Sequence, residues 1–264
     1  MNIGIFDSGI GGMTLLHQAM TVLPFENYIF YADTDHVPYG TKSKEQVIGF
    51  VDEVMRFMTA HDCKAVVIAC NTATAVAAEE MRQKYDIPII GIEPAVKPAV
   101  AASHGKRVLV AATPLTVREK KLQKLVERVD YSHLVDLIAL PYLVELAEHG
   151  DFDTGEVREY LQKELSGYNL ENYGELVLGC THFNFFKDTF RQLLPADVAL
   201  IDGSDGTIRH LKEVLCERGE LESKKGSESQ SVRYFRSGRE LTAQTELQHM
   251  RRLHERLERM HEIS

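Results

Sequence analysis

The sequence has few cysteines, and no two of them have the Cys-x-x-Cys spacing of zinc or thioredoxin-like redox motifs. The four cysteines lie far apart, at positions 63, 70, 180 and 216 of the 264 residues. The N-terminus also lacks a basic segment followed by an apolar stretch and a small-residue cleavage site, so no secretory signal is visible. We therefore expect a cytoplasmic protein with reduced thiols rather than a disulfide framework.

The sequence also lacks a long hydrophobic run and an excess of positive charge. Its longest mostly apolar stretch, residues 87–102, contains Glu93, Lys97 and three prolines, which argues against a membrane span. Lys and Arg number 30 and Asp and Glu number 39, giving a formal net charge of −9. Because an acidic surface repels phosphates and anionic lipids, neither nucleic acid nor a membrane is an expected partner.

Short β-rich runs alternate with amphipathic helical patterns through most of the chain. The predicted strands are residues 2–6, 28–31, 65–69, 88–92, 107–111, 134–139, 176–178, 198–201 and 232–235. This alternation predicts an α/β fold with mostly parallel sheets flanked by helices. Each half has a buried strand that ends in a cysteine and leads into a helix, so we predict two pseudo-symmetric domains with the active site in the cleft between them.

The predicted domain boundary lies near residues 97–105. Residues 1–97 and about 207–264 are assigned to an N-terminal lobe, and residues 98–206 to a second α/β lobe. Apolar residues recur every three or four positions from Leu247 to Met260, which predicts a closing helix whose many Arg, Glu and His residues face solvent. The polar, turn-rich residues 222–231 are predicted to form a mobile loop.

Two of the buried strands run directly into a cysteine followed by hydroxyl and polar residues, at residues 66–72 (VVIACNT) and 176–182 (LVLGCTH). Open α/β sheets bind ligands at the carboxyl ends of their strands. A helix that begins there is expected to lower the thiol pKa from its free value of about 8.5. Two opposed thiols can remove a proton from one face of a carbon and return one to the other face. The pattern therefore predicts a racemase or epimerase.

Other assignments for the cysteines are weaker. A metal site at Cys-Thr-His would need about four closely spaced ligands, which the neighbouring sequence does not supply. Cys63 and Cys216 are expected to be small buried hydrophobic residues. His182, beside Cys180, and Asp7 are candidates for relaying or orienting protons.

Two loops carry further candidate residues. Residues 7–12 (DSGIGG) follow the first strand but lack the Gly-x-Gly-x-x-Gly spacing, and an aspartate stands where a diphosphate would approach, so a nucleotide-binding oxidoreductase is disfavoured. Asp7 and Ser8 can hold an amino acid's ammonium and carboxylate groups; the alternative is that Asp7 caps the next helix. In the second loop, residues 31–40, Pro38 and Gly40 can shape the backbone so that it offers amides to a carboxylate; the alternative is a surface loop with a packed tyrosine.

Taken together, residues 7–12, 32–40, 69–73 (ACNTA) and 179–183 (GCTHF) resemble the bacterial glutamate racemases in order and spacing, and the resemblance extends from residue 1 to about 240. It implies two pseudo-symmetric domains that close over glutamate and interconvert its enantiomers without cofactor or metal, supplying D-glutamate for peptidoglycan. The catalytic residues that it implies are Cys70 and Cys180, assisted by Asp7, His182, Glu148 and Asp33. The implied substrate contacts are Asp7, Ser8, Pro38, Tyr39, Gly40, Asn71, Thr72, Thr116, Thr181 and His182.

The chain departs from the family pattern at two places. Residues 140–148 (LPYLVELAE) replace the usual Cys-Pro-Leu-Phe-Val-Pro-Leu-Val-Glu, so Glu145 and Glu148 are both candidates for the acidic assistant. Residues 183–185 (FNF) replace the usual Tyr-Pro-Leu, which is expected to alter packing around Cys180.

Alternative functions are an aspartate racemase of the same superfamily and a non-catalytic amino-acid-binding module. Cys-Thr-His rather than Cys-Thr-Glu favours glutamate, and a binding module has no need of paired thiols. The expected partners are glutamate and a second copy of the chain in a homodimer.

Overall fold

Short runs rich in Val, Ile, Leu and Tyr form the strands, because such side chains suit sheets that are covered on both faces. The computed structural model describes residues 1–222 and 230–263. The strands are β1 (Asn2–Asp7), β2 (Tyr28–Ala32), β3 (Cys63–Ile68), β4 (Ile89–Gly91), β5 (Arg107–Ala112), β6 (Val135–Ala139), β7 (Tyr173–Leu178), β8 (Ala199–Asp202), β9 (Val232–Arg236) and β10 (Arg239–Glu240). Every predicted strand is present near its expected bounds, and β10 is an additional short strand.

Helices fill the connections between the strands. They are α1 (Met13–Val22), α2 (Lys44–Ala60), α3 (Asn71–Lys84), α4 (Val96–Ala102), α5 (Pro114–Arg118), α6 (Lys120–Val129), α7 (Tyr142–His149), α8 (Gly155–Leu165), α9 (Lys187–Leu193), α10 (Ser204–Glu217) and α11 (Gln244–His261). Short 3₁₀ helices lie at Ile10–Gly12, Tyr39–Thr41, Leu170–Asn172 and Thr181–Phe186. The first, second and fourth of these directly follow or include the polar motifs of the sequence.

The strands form two sheets with a repeated topology. The first sheet has the order β10-β9-β2-β1-β3-β4 and the second has the order β6-β5-β7-β8. Neighbouring strands are parallel, except that β10 is antiparallel to β9. The order β2-β1-β3-β4 therefore recurs as β6-β5-β7-β8. Because β3 and β7 occupy equivalent positions, the cysteines that follow them stand at equivalent strand ends, as the pseudo-symmetric prediction requires.

We refer to each sheet with its packed helices as a lobe. The C-terminal part of the chain returns to the first lobe, where β9 pairs with β2 and both α10 and α11 pack on α1. The apolar stripe of α11 is buried as its spacing predicts, through Met250, Leu253, Leu257 and Met260. Arg256 is buried with them at 4% exposure. The expectation that the charged residues of this helix face solvent is therefore wrong at Arg256, whose guanidinium pairs with two aspartates.

A single cluster of buried apolar residues extends from the first lobe into the second. It includes Ile5 and Phe30 of the first sheet, Leu109 and Leu178 of the second, and Phe183 in the 3₁₀ helix after β7. Burial of this kind is the main favourable contribution to folding. The lobes are thus packed against each other through apolar side chains, and the polar strand ends enclose only a small space.

The remaining cysteines differ in their surroundings. Cys63 is buried in β3, as predicted. Cys216 is exposed on α10, so its predicted burial is wrong. That helix turns Ile208, Leu211 and Leu215 inward, and the next position faces outward.

Two other expectations concern loops and membranes. Most of the predicted loop at residues 222–231 lies outside the described residues, since positions 223–229 are not described. Within the described ranges, none of the helices has the length and apolar character needed to cross a bilayer.

Candidate active site

Cys70 stands at the end of β3 and at the N-cap of α3. Its Sγ accepts a hydrogen bond from the backbone N–H of Ala73 at 3.4 Å and lies 3.7 Å from Ser8 Oγ. Only 6% of the residue is exposed. The strand therefore delivers the thiol to the sheet edge, and the first turn of the helix fixes the direction of its sulfur.

Cys180 stands at the equivalent end of β7, just before the 3₁₀ helix Thr181–Phe186. Its Sγ lies 3.8 Å from Nδ1 of His182. The other ring nitrogen of His182, Nε2, lies 2.7 Å from Oε1 of Glu148 on α7. The three side chains form a thiol–imidazole–carboxylate chain in which the carboxylate orients the ring and the ring reaches the thiol.

Glu148 also connects the two lobes. Its Oε1 accepts a hydrogen bond from the backbone N–H of Ile10 at 2.7 Å. Glu145, the alternative candidate from the sequence, is exposed on the same helix. Of the two glutamates left open by the sequence, the structure brings Glu148 alone into contact with His182.

Cys70 and Cys180 line the same small cavity between the lobes, with a volume of only about 10 Å³. The residues lining it are Ser8, Pro38, Tyr39, Gly40, Cys70, Asn71, Thr72, Thr113, Val144, Cys180, Thr181 and His182. Eight of the ten implied substrate contacts line it, and the other two, Asp7 and Thr116, are hydrogen-bonded to lining residues. The two sulfur atoms thus enter one space from opposite lobes.

Asp7 is fully buried at the end of β1. Its carboxylate accepts hydrogen bonds from Ser8 Oγ at 3.1 Å, from the Gly9 backbone N–H at 3.3 Å and from Thr181 Oγ1 at 2.7 Å. No side chain caps the helices that follow, so the helix-capping alternative for Asp7 is wrong. Burial raises the pKa of Asp7, against the opposing charge of His182 and these hydrogen bonds.

The thiol of Cys70 is less acidic than the sequence suggested. Burial, followed by the negative charge of Asp7, raises its pKa to about 12. The hydrogen bond from Ala73 at the helix N-terminus acts in the opposite direction but is the smaller effect. The expectation that the pKa of Cys70 falls below its free value is therefore wrong in the closed site, because burial outweighs the helix and favours the protonated thiol.

The surroundings of Cys70 favour its neutral form, whereas those of His182 favour its charged form. Complete burial pushes its pKa down, but hydrogen bonds to Cys180 and Glu148 and the negative charge of both partners hold the pKa well above its ordinary value. The surroundings of His182 thus favour its imidazolium form.

Tyr39 lines the cavity, and Asp33 lies behind it. The Tyr39 hydroxyl donates to Asp33 Oδ2 at 2.6 Å, and burial together with Asp33 raises the pKa of Tyr39. Asp33 also contacts His36 Nδ1 at 2.9 Å and accepts from Ser237 Oγ at 3.2 Å. Asp33, implied as a catalytic residue, is therefore placed to hold the tyrosine loop and is not among the residues that line the cavity.

Thr116 is also one step removed from the cavity. Its hydroxyl lies 3.1 Å from that of Thr72 and 3.0 Å from that of Thr113, and both of these line the cavity. Thr113 was missed as a site residue, although its place just after β5 is the signal that identified the cysteines. Val144, on α7, was missed because a lone apolar residue carries no functional signal in a sequence.

An unpaired acceptor lies in the cavity wall. Within the described part of the chain, Oδ1 of Asn71 is buried and has no hydrogen-bond partner. A buried acceptor of this kind is costly unless a donor reaches it, so it marks a position for a donor group of a bound molecule. Among the described residues, no group of three or more His, Cys, Asp or Glu side chains is arranged to hold a metal ion.

Comparison with known proteins places the chain in a family. The model of the family described as Asp/Glu/hydantoin racemase matches residues 13–211. The chain is 49% identical over 265 residues to the glutamate racemase of Lachnospira eligens, with both chains fully covered. It is 50% identical over 260 residues to glutamate racemase 2 of Bacillus subtilis, covering 98% of this chain and 97% of that one.

A solved structure agrees with these relatives. The glutamate racemase of Francisella tularensis in complex with D-glutamate superposes with a TM-score of 0.79 at 28% identity, covering 97% of this chain and 92% of that chain. The predicted α/β fold is confirmed, and so is the enzymatic interpretation over that of a non-catalytic binding module. The chain is therefore an amino-acid racemase of the Asp/Glu/hydantoin racemase family and belongs, within that family, to the glutamate racemases.

Proposed function

We propose that the protein interconverts L- and D-glutamate with no cofactor. The sulfur of one cysteine, Cys70 or Cys180, removes the α-proton, and the thiol of the other delivers a proton to the opposite face of the α-carbon. Its cellular role is to supply D-glutamate for peptidoglycan. The observation that carries the mechanism is that these two buried cysteines, from opposite lobes, line a single cavity. A planar carbanion-like intermediate has two faces, and one base cannot serve both without crossing the plane.

In the D-to-L direction, the Cys70 thiolate removes the α-proton of D-glutamate, and the Cys180 thiol protonates the opposite face. The roles exchange for L-glutamate. Asp7 assists by accepting the proton of Cys70, which its burial-raised pKa favours. On the other side, Glu148 holds His182, and His182 exchanges a proton with Cys180.

The site must also stabilise negative charge that develops on the substrate carboxylate. Ser8, Asn71 and Thr72 present fixed polar groups at the strand ends, where little water is available to screen them. Losing one such donor typically costs on the order of 3 kcal/mol of activation free energy. The unpaired Oδ1 of Asn71 accepts from the substrate ammonium, and that positive charge in turn stabilises the adjacent Cys70 thiolate.

The test of this function is circular dichroism of L-glutamate and of L-aspartate with purified protein and no added cofactor. We expect the glutamate signal to decay to zero and the aspartate signal to persist. The Cys70→Ser, Cys180→Ser double variant is the control for a contaminating racemase. Decay of the aspartate signal alone would assign the aspartate alternative, and no decay of either signal would overturn the proposal.

Glu148→Gln is expected to lower kcat/KM by about 10- to 100-fold, because it removes the charge that orients and holds the His182 imidazolium. Without that charge, the dominant effect of burial lowers the pKa of His182. The alkaline limb of the pH–rate profile should then move to lower pH. The measurement is kcat/KM against pH.

Glu145→Gln is the matched control for this variant, because it makes the same change at an exposed position of the same helix. It should leave both the rate and the profile unchanged. A Glu148→Gln profile that superimposes on that of the wild type contradicts the assignment.

A further inference from the structure

Arg256 is the only arginine buried among the described residues, and all three of its side-chain nitrogens donate hydrogen bonds. Nε and Nη2 donate to the backbone carbonyl of Phe185 at 3.0 and 2.7 Å. Nη2 also pairs with Asp188 at 2.8 Å, and Nη1 pairs with both carboxylate oxygens of Asp153 at 2.7 and 2.8 Å. The guanidinium carbon lies 5.3 Å from the centre of the Phe152 ring. We call this set of contacts the Arg256 clamp.

The clamp joins α11 to the two segments that carry the proton chain of Cys180. Phe185 belongs to the same 3₁₀ helix as His182, which begins directly after Cys180. Asp153 lies in the connection after α7, the helix that carries Glu148. One side chain therefore fixes the end of the His182 segment and the segment that follows Glu148.

The clamp also lies where the chain departs from the family pattern. Residues 183–185 read Phe-Asn-Phe here, and the carbonyl of Phe185 is the one that Arg256 binds. A short 3₁₀ helix has few hydrogen bonds of its own, and its last carbonyls need partners from elsewhere. Two charge-assisted hydrogen bonds from a planar guanidinium supply a rigid partner for one of them.

We propose that Arg256 is a positioning residue for the Cys180–His182–Glu148 proton chain, and that it thereby sets the rate of proton transfer on the Cys180 side of the substrate. This proposal rests on the two-thiol function above. Cys70 and Asp7 are not among the contacts of the clamp, and their elements belong to the first sheet; Asp7 meets the clamped segment through one hydrogen bond, from Thr181 Oγ1. Loss of the clamp should consequently slow one of the two proton transfers more than the other.

The test compares wild type with Arg256→Met, Arg256→Lys and the control Arg252→Met, an exposed arginine on the same helix. We expect Arg256→Met to lower kcat by about 10- to 100-fold with KM changed less than about threefold, because small displacements of a proton chain have effects of this size. Lysine keeps the charge and should restore part of the rate. Arg252→Met should match wild type.

Deuterium isotope effects distinguish positioning from a loss of general stability. In the proposed mechanism, Cys180 cleaves the α-bond of L-glutamate, and Cys70 cleaves that of D-glutamate. In Arg256→Met, the isotope effect on kcat/KM should rise with α-deuterated L-glutamate and fall with the deuterated D-enantiomer. A variant that merely loses active protein would keep the wild-type pair of isotope effects, and this result would overturn the proposal.

Asp153→Asn provides a second route if Arg256→Met does not fold. Asp153 is 67% exposed, so its replacement removes one arm of the clamp without burying an unpaired charge. It should change the two isotope effects in the same directions, by a smaller amount. If both isotope effects stay at wild-type values in Asp153→Asn and Arg256→Lys, the clamp has no role in proton transfer. Failure of wild type to racemise glutamate would instead contradict the proposed function itself.

Discussion

Cys70→Ser and Cys180→Ser are each expected to reduce glutamate racemisation by roughly 10³-fold, within the range that a positioned acid or base contributes. A serine hydroxyl is far less acidic than a thiol, so it can neither become the base nor donate its proton at a useful rate. Each substitution removes the thiol that acts on one face of the α-carbon, and racemisation requires a thiol on each face.

Each single variant should nevertheless retain proton exchange between solvent and one enantiomer of glutamate. Cys70→Ser keeps the Cys180 thiol and should exchange the α-proton of L-glutamate with solvent. Cys180→Ser should exchange that of D-glutamate. The measurement is loss of the α-proton signal by NMR in D₂O for each enantiomer, beside circular dichroism for net racemisation.

Cys63→Ser and Cys216→Ser are the controls, one buried and one exposed, and neither lines the cavity. Both should racemise glutamate at rates close to wild type. Full activity in either Cys70→Ser or Cys180→Ser would contradict the two-base assignment. Exchange of both enantiomers by one single variant would contradict the assignment of one thiol to each face.

Much of the fold could be predicted from the sequence because its signals are local. Runs such as residues 66–69 and 176–178 are too apolar for a solvent-exposed strand, and the cysteine, asparagine and threonine that follow mark the strand end. Residues at the carboxyl ends of parallel strands share one edge of a sheet. This geometric rule places Asp7 and Cys70 at the edge of the first sheet and Thr113 and Cys180 at the edge of the second.

Features that depend on distant pairing could not be predicted in this way. Glu148 reaches His182 across 34 positions, and Arg256 reaches Asp153 across 103. Periodicity placed Arg256 among solvent-facing residues because a pattern of residue types cannot reveal which charge has a buried partner. Homodimerisation and cytoplasmic location stay predictions.

The pKa of Cys70 depends on a balance between two opposing effects. A helix N-terminus and complete burial act on the thiol in opposite directions, and the sequence signals only the first. The larger effect, burial, becomes visible once both lobes enclose the residue. In the proposed mechanism, the ammonium group of the substrate supplies the positive charge that lets this thiol act as a base.

Gly11→Ala is expected to have the second large effect, because the lobes meet at this residue. A Cβ at Gly11 would overlap Oγ1 of Thr181 and lie 2.5 Å from Nδ1 of His182. Neither side chain can easily move, since Thr181 is bonded to Asp7 and His182 to Glu148. The added methyl group must push the Cys180 segment away from the first lobe. We expect a loss of about 100-fold in kcat/KM and a fall of about 1–3 kcal/mol in the free energy of unfolding.

Gly49→Ala is the matched control for this prediction. Gly49 lies inside α2, and a Cβ there would have no neighbour within 4 Å. The same change should raise the free energy of unfolding by up to about 1 kcal/mol and leave activity unchanged, because alanine favours a helix over glycine. Urea unfolding and the circular dichroism assay measure both quantities. If Gly11→Ala keeps activity within twofold of wild type, then contact between this loop and the Cys180 segment is not required for proton transfer, and the closed arrangement of the two thiols is not the reactive one.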